Sequence, residues 1–236
     1  MHVSPSNQFP IGAVMPISRR QELLEWANKV KKRYIIEDDY DSEFRYKGTY
    51  IAPLFTADKQ DKVIYMNTFS KTLVPSFRIS YMVLPPKLLE KYVETMSFYS
   101  CTVSSFEQHT LAHFISEGYF ERHINRLRNY YSAMRKKILE AIKKSKIGEI
   151  SEIIEYGSGT HFLLSLVTSA KEEDIQEAME LMDVHIRRYS DYCTNVPEFN
   201  PSNYIFVVNY AGITEDKLPE MISRLEQIFP ECRGDA

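Results

Sequence analysis

Short apolar runs alternate along the chain with longer stretches in which apolar residues recur at three- and four-residue steps. The short runs predict strands and the longer stretches predict helices. The strands are predicted near residues 34–36, 63–66, 79–84, 150–156, 161–167, 185–189 and 204–210. The helices are predicted near residues 18–32, 88–96, 105–116, 119–142, 171–182 and 215–229. This alternation predicts an α/β fold.

The direction of the third strand follows from the length of its connection. Only residues 72–78 separate Lys71, which follows the second strand, from the third strand. A parallel crossover needs roughly a dozen residues or more. We therefore expect the third strand to run antiparallel to the second, which gives a mixed sheet.

The longest helical pattern, which begins at Tyr119 after Gly118, divides the chain into two predicted domains. The first, over residues 1–118, is part of a larger sheet domain. The second, over residues 119–236, is a small α/β domain that this helix enters. Capping-box patterns at Ser18 and Ser169 are predicted to start helices. Turn-forming residues open the chain without a preceding helix or strand, and this predicts that residue 1 lies inside a longer domain.

Composition excludes several classes of function. A net charge of -3 over 236 residues gives no general attraction to nucleic acid. Three widely spaced cysteines favour reduced thiols and a cytoplasmic location, and no apolar run is long enough to span a membrane. His109 and His113 are four residues apart on a predicted helix but lack a third ligand, so no metal site is expected.

Two predicted strands end on charged groups. Lys71 follows the second strand, and an acidic run at residues 37–41 follows the first. Ligands of open α/β sheets bind beyond the carboxyl ends of the strands. Lys71 is therefore expected to meet a ligand there, and the carboxylates are expected to pair with a cation in the same crevice.

A lysine, a carboxylate and an arginine at one sheet edge match what pyridoxal phosphate needs. The amine of Lys71 forms an imine with the aldehyde, and a carboxylate pairs with the ring nitrogen. Arg78 offers a fork of donors to the phosphate. Because a lone lysine after a strand is more often a surface residue, the chemistry alone leaves both interpretations open.

Four segments of the chain form a recognisable set: QFP at 8–10, IEDDYDSEF at 36–44, TFSKTL at 68–73 and RISY at 78–81. Together they resemble the aminotransferase-like domain of the MocR/GabR family of bacterial regulators. The resemblance covers most of the chain. It implies the fold of fold-type-I aminotransferases that bind pyridoxal phosphate, here as a partial large domain followed by a small C-terminal domain.

The resemblance also implies a role for each matching residue. Lys71 looks like the Schiff-base lysine, Asp38 like the partner of the ring nitrogen and Tyr40 like the donor to the ring hydroxyl. Ser70 and Arg78 look like phosphate ligands, with Thr68 as a further candidate.

The implied function is sensing rather than catalysis. Domains of this family detect a small amino compound, form homodimers and reach DNA only through a preceding winged-helix domain. The alternative is an aminotransferase in which Lys71 also carries the proton, and a third possibility is a dimerisation body without cofactor. Gly212 stands where a compared family member has the arginine for the ligand carboxylate, which leans against transamination. Arg187 and Arg188 are candidate replacements for that arginine.

Overall fold

The protein is described here by a computed structural model that covers residues 1–46, 52–168, 170–194 and 203–229. The chain forms two compact units. The first comprises Met1–Phe9, Ala13–Arg128 and Gly157–Gly159. The second comprises Pro10–Gly12, Asn129–Tyr156 and Thr160–Ala236. The division therefore falls within the long helix, after Arg128.

A four-stranded mixed sheet in the order β1-β2-β3-β4 forms the centre of the first unit. Its strands are β1 (His2–Val3), β2 (Ile35–Asp38), β3 (Val63–Thr68) and β4 (Ser80–Val83). The first three run parallel, and β4 runs antiparallel to β3. The antiparallel direction confirms the prediction that was made from the short connection between these two strands.

Helices α1 and α2 cover the sheet of the first unit. The helices of this unit are α1 (Ile17–Asn28), α2 (Leu54–Ala57), α3 (Pro86–Met96), α4 (Ser105–Ser116) and the start of α5 (Tyr119–Lys144). Leu23 and Ala27 of α1 pack with Ile35 and Val63 of the strands in a buried core. The capping prediction for Ser18 is wrong, since α1 begins at Ile17 without a side-chain cap.

The second unit contains an antiparallel sheet in the order β5-β6-β8-β7. Its strands are β5 (Ser151–Ile154), β6 (His161–Val167), β7 (Arg187–Arg188) and β8 (Asn203–Asn209). Its helices are the rest of α5, α6 (Ile147–Ile150), α7 (Glu172–Leu181) and α8 (Leu218–Ile228), with 3-10 turns at Tyr189–Tyr192 and Glu215–Lys217. Ile138 and Ile142 of α5 join Leu164 and Phe206 of the sheet in the main core. Ser169 lies outside the described residues.

Two kinds of feature are absent from the described part of the chain. No helix there is both long and apolar enough to cross a lipid bilayer. No cluster of three or more histidine, cysteine, aspartate or glutamate side chains there is arranged to hold a metal ion. Cys101 and Cys193 are free thiols, and Cys232 lies outside the described residues.

Candidate functional site

Strands β2 and β3 deliver polar residues to the same edge of the sheet. They are parallel neighbours, with Asp38, the last residue of β2, opposite Met66 of β3. Asp39 continues the pairing by donating its backbone N–H to the carbonyl oxygen of Met66 at 2.9 Å. The segments that follow Asp38 and Thr68 therefore leave the sheet at one edge, as the sequence predicts.

A guanidinium and two hydroxyls lie together after β3. Arg78 Nη1 donates to Ser70 Oγ at 3.2 Å, and Thr68 Oγ1 donates to the same oxygen at 3.2 Å. Ser70 Oγ in turn donates to the carbonyl oxygen of Phe77 at 3.0 Å. We call Thr68, Ser70 and Arg78 the Arg78 cluster. One cation beside two hydroxyls suits an anion with several oxygen atoms.

Lys71 follows the Arg78 cluster in the chain and is exposed. In the part of the chain that the structure describes, its amine forms no hydrogen bond and no ion pair. Its positive charge nevertheless acts on Asp41, where it partly offsets the rise in pKa that burial causes. The loop that carries Lys71 is anchored one residue later, where the ring Nε2 of His123 lies 3.0 Å from the carbonyl oxygen of Thr72. The amine is therefore available to a ligand while its backbone is held.

Asp38 and Tyr40 lie at the end of β2. The side chain of Asp38 is about one-third exposed, and its Oδ2 lies 3.3 Å from Nε2 of His2. The hydroxyl of Tyr40 donates to the carbonyl oxygen of Asn7 at 3.1 Å. Burial, followed by the charges of Asp41 and Asp38, raises the pKa of Tyr40, so the phenol remains a protonated donor.

The carboxylates of the acidic run at residues 37–41 were expected to pair with a cation, and the structure gives Glu37 other partners. Glu37 is fully buried and accepts hydrogen bonds from the backbone N–H groups of Leu54 at 2.7 Å and Phe55 at 2.8 Å. These two N–H groups open helix α2, so a carboxylate there also opposes the positive end of the helix. The carboxylate of Glu37 therefore holds α2 against the sheet.

Asp39 and Asp41 are also buried. Asp39 Oδ2 accepts hydrogen bonds from Tyr65 OH and Ser42 Oγ, both at 2.9 Å. Asp41 Oδ2 accepts one from Asn7 Nδ2 at 2.6 Å. Instead of the expected ion pair with a cation, the hydrogen bonds that these two residues and Glu37 accept come from neutral donors, and Asp39 Oδ1 is buried without a hydrogen-bond partner.

Asn7 and Asp41 form a tight contact that sequence reasoning did not assign to the site. Burial raises the pKa of Asp41 to about 7, while the Asn7 hydrogen bond and the charge of Lys71 oppose that shift. Gly159 closes the contact from a left-handed backbone conformation with φ of 69°. A Cβ atom there would lie 2.3 Å from Asn7 Nδ2 and 2.9 Å from Asp41 Oδ2. The only sequence signal for this contact was that Asn7 precedes, and Asp41 lies within, the resembling segments.

The family described as "Aminotransferase class I and II" matches residues 1–225. The chain belongs to this aminotransferase family. The match extends through both units and includes Asp38, Lys71 and the Arg78 cluster.

Bacterial regulatory proteins are among the relatives of this chain. The HTH-type transcriptional regulator YhdI of Bacillus subtilis (strain 168) is 41% identical over 226 residues, which are 96% of this chain and 47% of YhdI. The probable rhizopine catabolism regulatory protein MocR of Rhizobium meliloti is 33% identical over 227 residues, 96% of this chain and 45% of MocR. The predicted resemblance to MocR-type regulators is confirmed. The chain spans about half the length of the curated relatives it matches.

A solved aminotransferase confirms the predicted fold. The kynurenine aminotransferase of Pyrococcus horikoshii, solved in complex with PMP, is 29% identical and has a TM-score of 0.78. The similarity covers 96% of this chain and 55% of that one. Together with the family match, it shows a fold-type-I aminotransferase-like fold.

Membership of this family implies pyridoxal phosphate as cofactor. The groups at the sheet edge fit it, because the Arg78 cluster offers a cation and hydroxyls to a phosphate. Lys71 offers an amine without an ion-pair partner among the described residues. Asp38 offers a carboxylate at the neighbouring strand end.

Proposed function

We propose that this aminotransferase-family domain binds pyridoxal phosphate and senses a small amino compound. The observation that carries the proposal is the placement of Lys71 directly after Ser70 of the Arg78 cluster, at the sheet edge shared with Asp38. The amine of Lys71 has no ion-pair partner among the described residues, so a ligand does not have to displace one.

Each residue has a distinct task in this proposal. Arg78, Ser70 and Thr68 would hold the phosphate, and Nζ of Lys71 would bond to the aldehyde carbon, whose oxygen leaves as water. Asp38 would pair with the ring nitrogen, and the hydroxyl of Tyr40 would donate to the ring hydroxyl. When bound, the cofactor supplies an electrophilic carbon that primary amines attack, and this reactivity selects the class of effector.

The proposed context is a bacterial transcriptional regulator that acts in the cytoplasm. Its support is the similarity over 96% of this chain to YhdI and MocR, each about twice the length of the matched segment. Contact with DNA is then made by a winged-helix domain that precedes this one in the full-length protein. The free thiols of Cys101 and Cys193 agree with a reducing compartment.

The second candidate function is amino-group transfer. The similarity to the kynurenine aminotransferase favours it. Against it stands Gly212, which follows β8 and carries no side chain that could bind a substrate carboxylate. Spectra taken while amino acids are added to the loaded protein distinguish the two functions. A sensor binds an amino acid without releasing a keto acid, whereas an aminotransferase releases one keto acid per site.

Covalent attachment is tested with full-length protein and added pyridoxal phosphate. We expect an absorbance band near the visible edge in the wild type and in the control variant Lys87→Ala, an exposed lysine on α3. We expect no such band in Lys71→Ala, with an unchanged melting temperature in the absence of cofactor. A band that persists in Lys71→Ala, or a wild type without a band, would refute the role of Lys71.

The roles of Asp38 and Arg78 are tested by equilibrium dialysis of the cofactor. Asp38→Ala and Arg78→Gln are each expected to weaken retention by at least about tenfold, which corresponds to roughly 1.4 kcal/mol. Asp58→Ala is not a suitable control, because Asp58 accepts three backbone hydrogen bonds. The control is Glu25→Ala. Glu25 is exposed on α1, and this variant is expected to retain the cofactor normally.

We also propose that the domain works as a homodimer through α3, α4 and the segment between them. Phe98, Tyr99 and Phe106 are 74%, 63% and 80% exposed, and α3 buries none of its residues. Several large apolar side chains exposed in one segment of the chain favour an interface there. Sedimentation of the full-length protein is expected to give a dimer, which Phe98→Asp with Phe106→Asp converts to a monomer. A control, Leu181→Asp in the second unit, is expected to remain dimeric.

A further inference from the structure

Lys71 lies in the middle of a single helical turn. The backbone N–H of Leu73 donates to the carbonyl oxygen of Phe69 at 2.9 Å, which closes the turn over residues 69–73. Thr72 Oγ1 donates to the same oxygen at 3.3 Å. Since Lys71 is the central residue of the turn, the direction in which its side chain leaves the backbone depends on how this turn is held.

Helix α5 holds this turn at two points. The ring of Phe120 contacts the ring of Phe69 edge-on, with centroids 5.7 Å apart. Farther along the helix, Nε2 of His123 lies 3.0 Å from the carbonyl oxygen of Thr72. Because a carbonyl oxygen only accepts, Nε2 carries the proton and is the donor. The two contacts flank Lys71 on either side along the chain.

The peptide group between Thr72 and Leu73 is bound at both ends. Its N–H donates to Phe69, and its carbonyl oxygen accepts from His123. Thr72 is 1% exposed, so water does not readily replace a lost donor there. Rotation of this peptide group, and with it a change in backbone direction after Lys71, therefore requires two hydrogen bonds to break.

The hydrogen bond from His123 connects the turn to a neighbouring helix. Among the described residues, the other hydrogen bonds of residues 71–77 stay within the loop that joins β3 to β4. The imidazole is itself held, since its ring contacts the ring of Phe114 on α4, with centroids 6.3 Å apart. The loop therefore depends on one side chain for its hydrogen bond to another element of the fold.

We infer that His123 is a positioning residue for Lys71. This inference rests on the proposed attachment of pyridoxal phosphate to Lys71. By holding the carbonyl of Thr72, His123 fixes the turn from which the amine of Lys71 reaches the aldehyde carbon of a cofactor whose phosphate is bound by the Arg78 cluster. Small displacements of a reacting group slow a reaction strongly, so loss of this hydrogen bond affects attachment more than retention.

The experiment measures attachment and retention separately in the full-length protein. Attachment is the rate at which the absorbance band near the visible edge appears at saturating pyridoxal phosphate. Retention is measured by equilibrium dialysis in a Lys71→Ala background, where no covalent bond forms at residue 71. His123→Phe keeps an aromatic ring beside Phe114 but lacks the donor. It is expected to slow attachment at least about tenfold and to change retention by less than about twofold.

Two amide variants test the donor itself. His123→Gln places an amide N–H at about the position of Nε2 and is expected to attach the cofactor within about threefold of the wild-type rate. His123→Asn, whose side chain is one bond shorter, is expected to be as slow as His123→Phe. The matched control is His185→Phe in the second unit. His185 is 86% exposed and pairs with Asp183, and this variant is expected to attach the cofactor like the wild type.

Hydrogen exchange gives a readout that needs no cofactor. Exchange of the Leu73 amide is expected to accelerate in His123→Phe and His123→Asn, because the peptide group has lost one of its two partners. It is expected to stay at the wild-type rate in His123→Gln and His185→Phe.

Three results would overturn the inference. These are attachment at the wild-type rate in His123→Phe, equally slow attachment in His123→Gln and His123→Asn, and a loss of retention in the Lys71→Ala background as large as the loss of attachment. In each case the wild type still attaches the cofactor, so the proposed function stands. A wild type that attaches no cofactor refutes the proposed function, and this inference with it.

Discussion

The acidic run of the first unit and two ion-paired glutamates of the second unit have different partners. In the first unit, Glu37, Asp39 and Asp41 are buried and accept hydrogen bonds from neutral donors. In the second unit, Glu155 pairs with Arg135 and Glu172 pairs with Arg188. The buried acidic run therefore accepts from amide and hydroxyl groups, whereas Glu155 and Glu172 are bound by guanidinium groups, as is the exposed Glu22 of the first unit.

This difference explains why basic groups remain available at the edge of the first sheet. Lys71 and Arg78 have no carboxylate partner among the described residues, although the acidic run ends close by in the fold. An ion pair there would have to be broken before a phosphate could bind. Neutral donors for the acids therefore keep the cations free for an anionic ligand.

The largest expected effect is the loss of the ion pair between Arg135 and Glu155. Their side chains are 8% and 15% exposed, so Arg135→Met leaves a carboxylate largely shielded from water. We expect a destabilisation of about 3 kcal/mol, measured by urea unfolding.

Glu172→Gln provides the contrast for that measurement. Its pair with Arg188 is exposed, and we expect a cost below about 1 kcal/mol. Equal effects of Arg135→Met and Glu172→Gln would contradict the distinction between the two ion pairs.

A smaller effect is expected when the acceptor for α2 is removed. Glu37→Ala leaves the N–H groups of Leu54 and Phe55 without their acceptor, which is expected to cost about 2 kcal/mol. Amide hydrogen exchange at residues 54 and 55 is expected to accelerate, and Glu25→Ala is expected to leave it unchanged. Normal protection in Glu37→Ala would mean that α2 does not depend on this carboxylate.

The last effect depends on pH. Burial raises the pKa of Asp41 from 3.8 to about 7, so the folded state binds this proton more tightly than the unfolded state. The stability that this group contributes is therefore fully present below about pH 4 and is lost as the pH rises through about 7. Asp41→Asn, which can still accept from Asn7, is expected to remove this loss.

The measurement for Asp41 is the melting temperature between pH 4 and pH 8. The advantage of Asp41→Asn over the wild type is expected to grow steadily as the pH rises from 4 to 8, because only the wild type must release a proton from this buried site. Glu25→Gln, in an exposed position, is expected to show no such trend. An advantage that is the same at both ends of the range would exclude the burial of Asp41 as its cause.

The sequence predicted those features that depend on local pattern and chain length. Strand β6 was predicted with its observed bounds, because a short run of mostly apolar residues is typical of a strand buried on both faces. The direction of β4 followed from the few residues available after Lys71. In contrast, β1 (His2–Val3) and α2 (Leu54–Ala57) were not predicted. These elements are too short to show a hydrophobic periodicity in the sequence.

The partners of the acidic run could not be predicted for a physical reason. Asn7 contacts Asp41 across 34 positions of the chain, and Tyr65 contacts Asp39 across 26. Sequence pattern gives the number of charges but not the neutral donors that folding brings to them. Arg78 and Ser70 could be predicted because they lie within the resembling segments. Asn7 was missed because its contact with Asp41 arises only on folding.

The contact closed by Gly159 limits which sequences this domain can adopt. Any other amino acid at this position meets two penalties at once, a left-handed backbone and a collision with Asn7. Asparagine, which tolerates the backbone best, still carries the colliding carbon. A saturation library at codon 159, selected for stable protein, should return glycine alone.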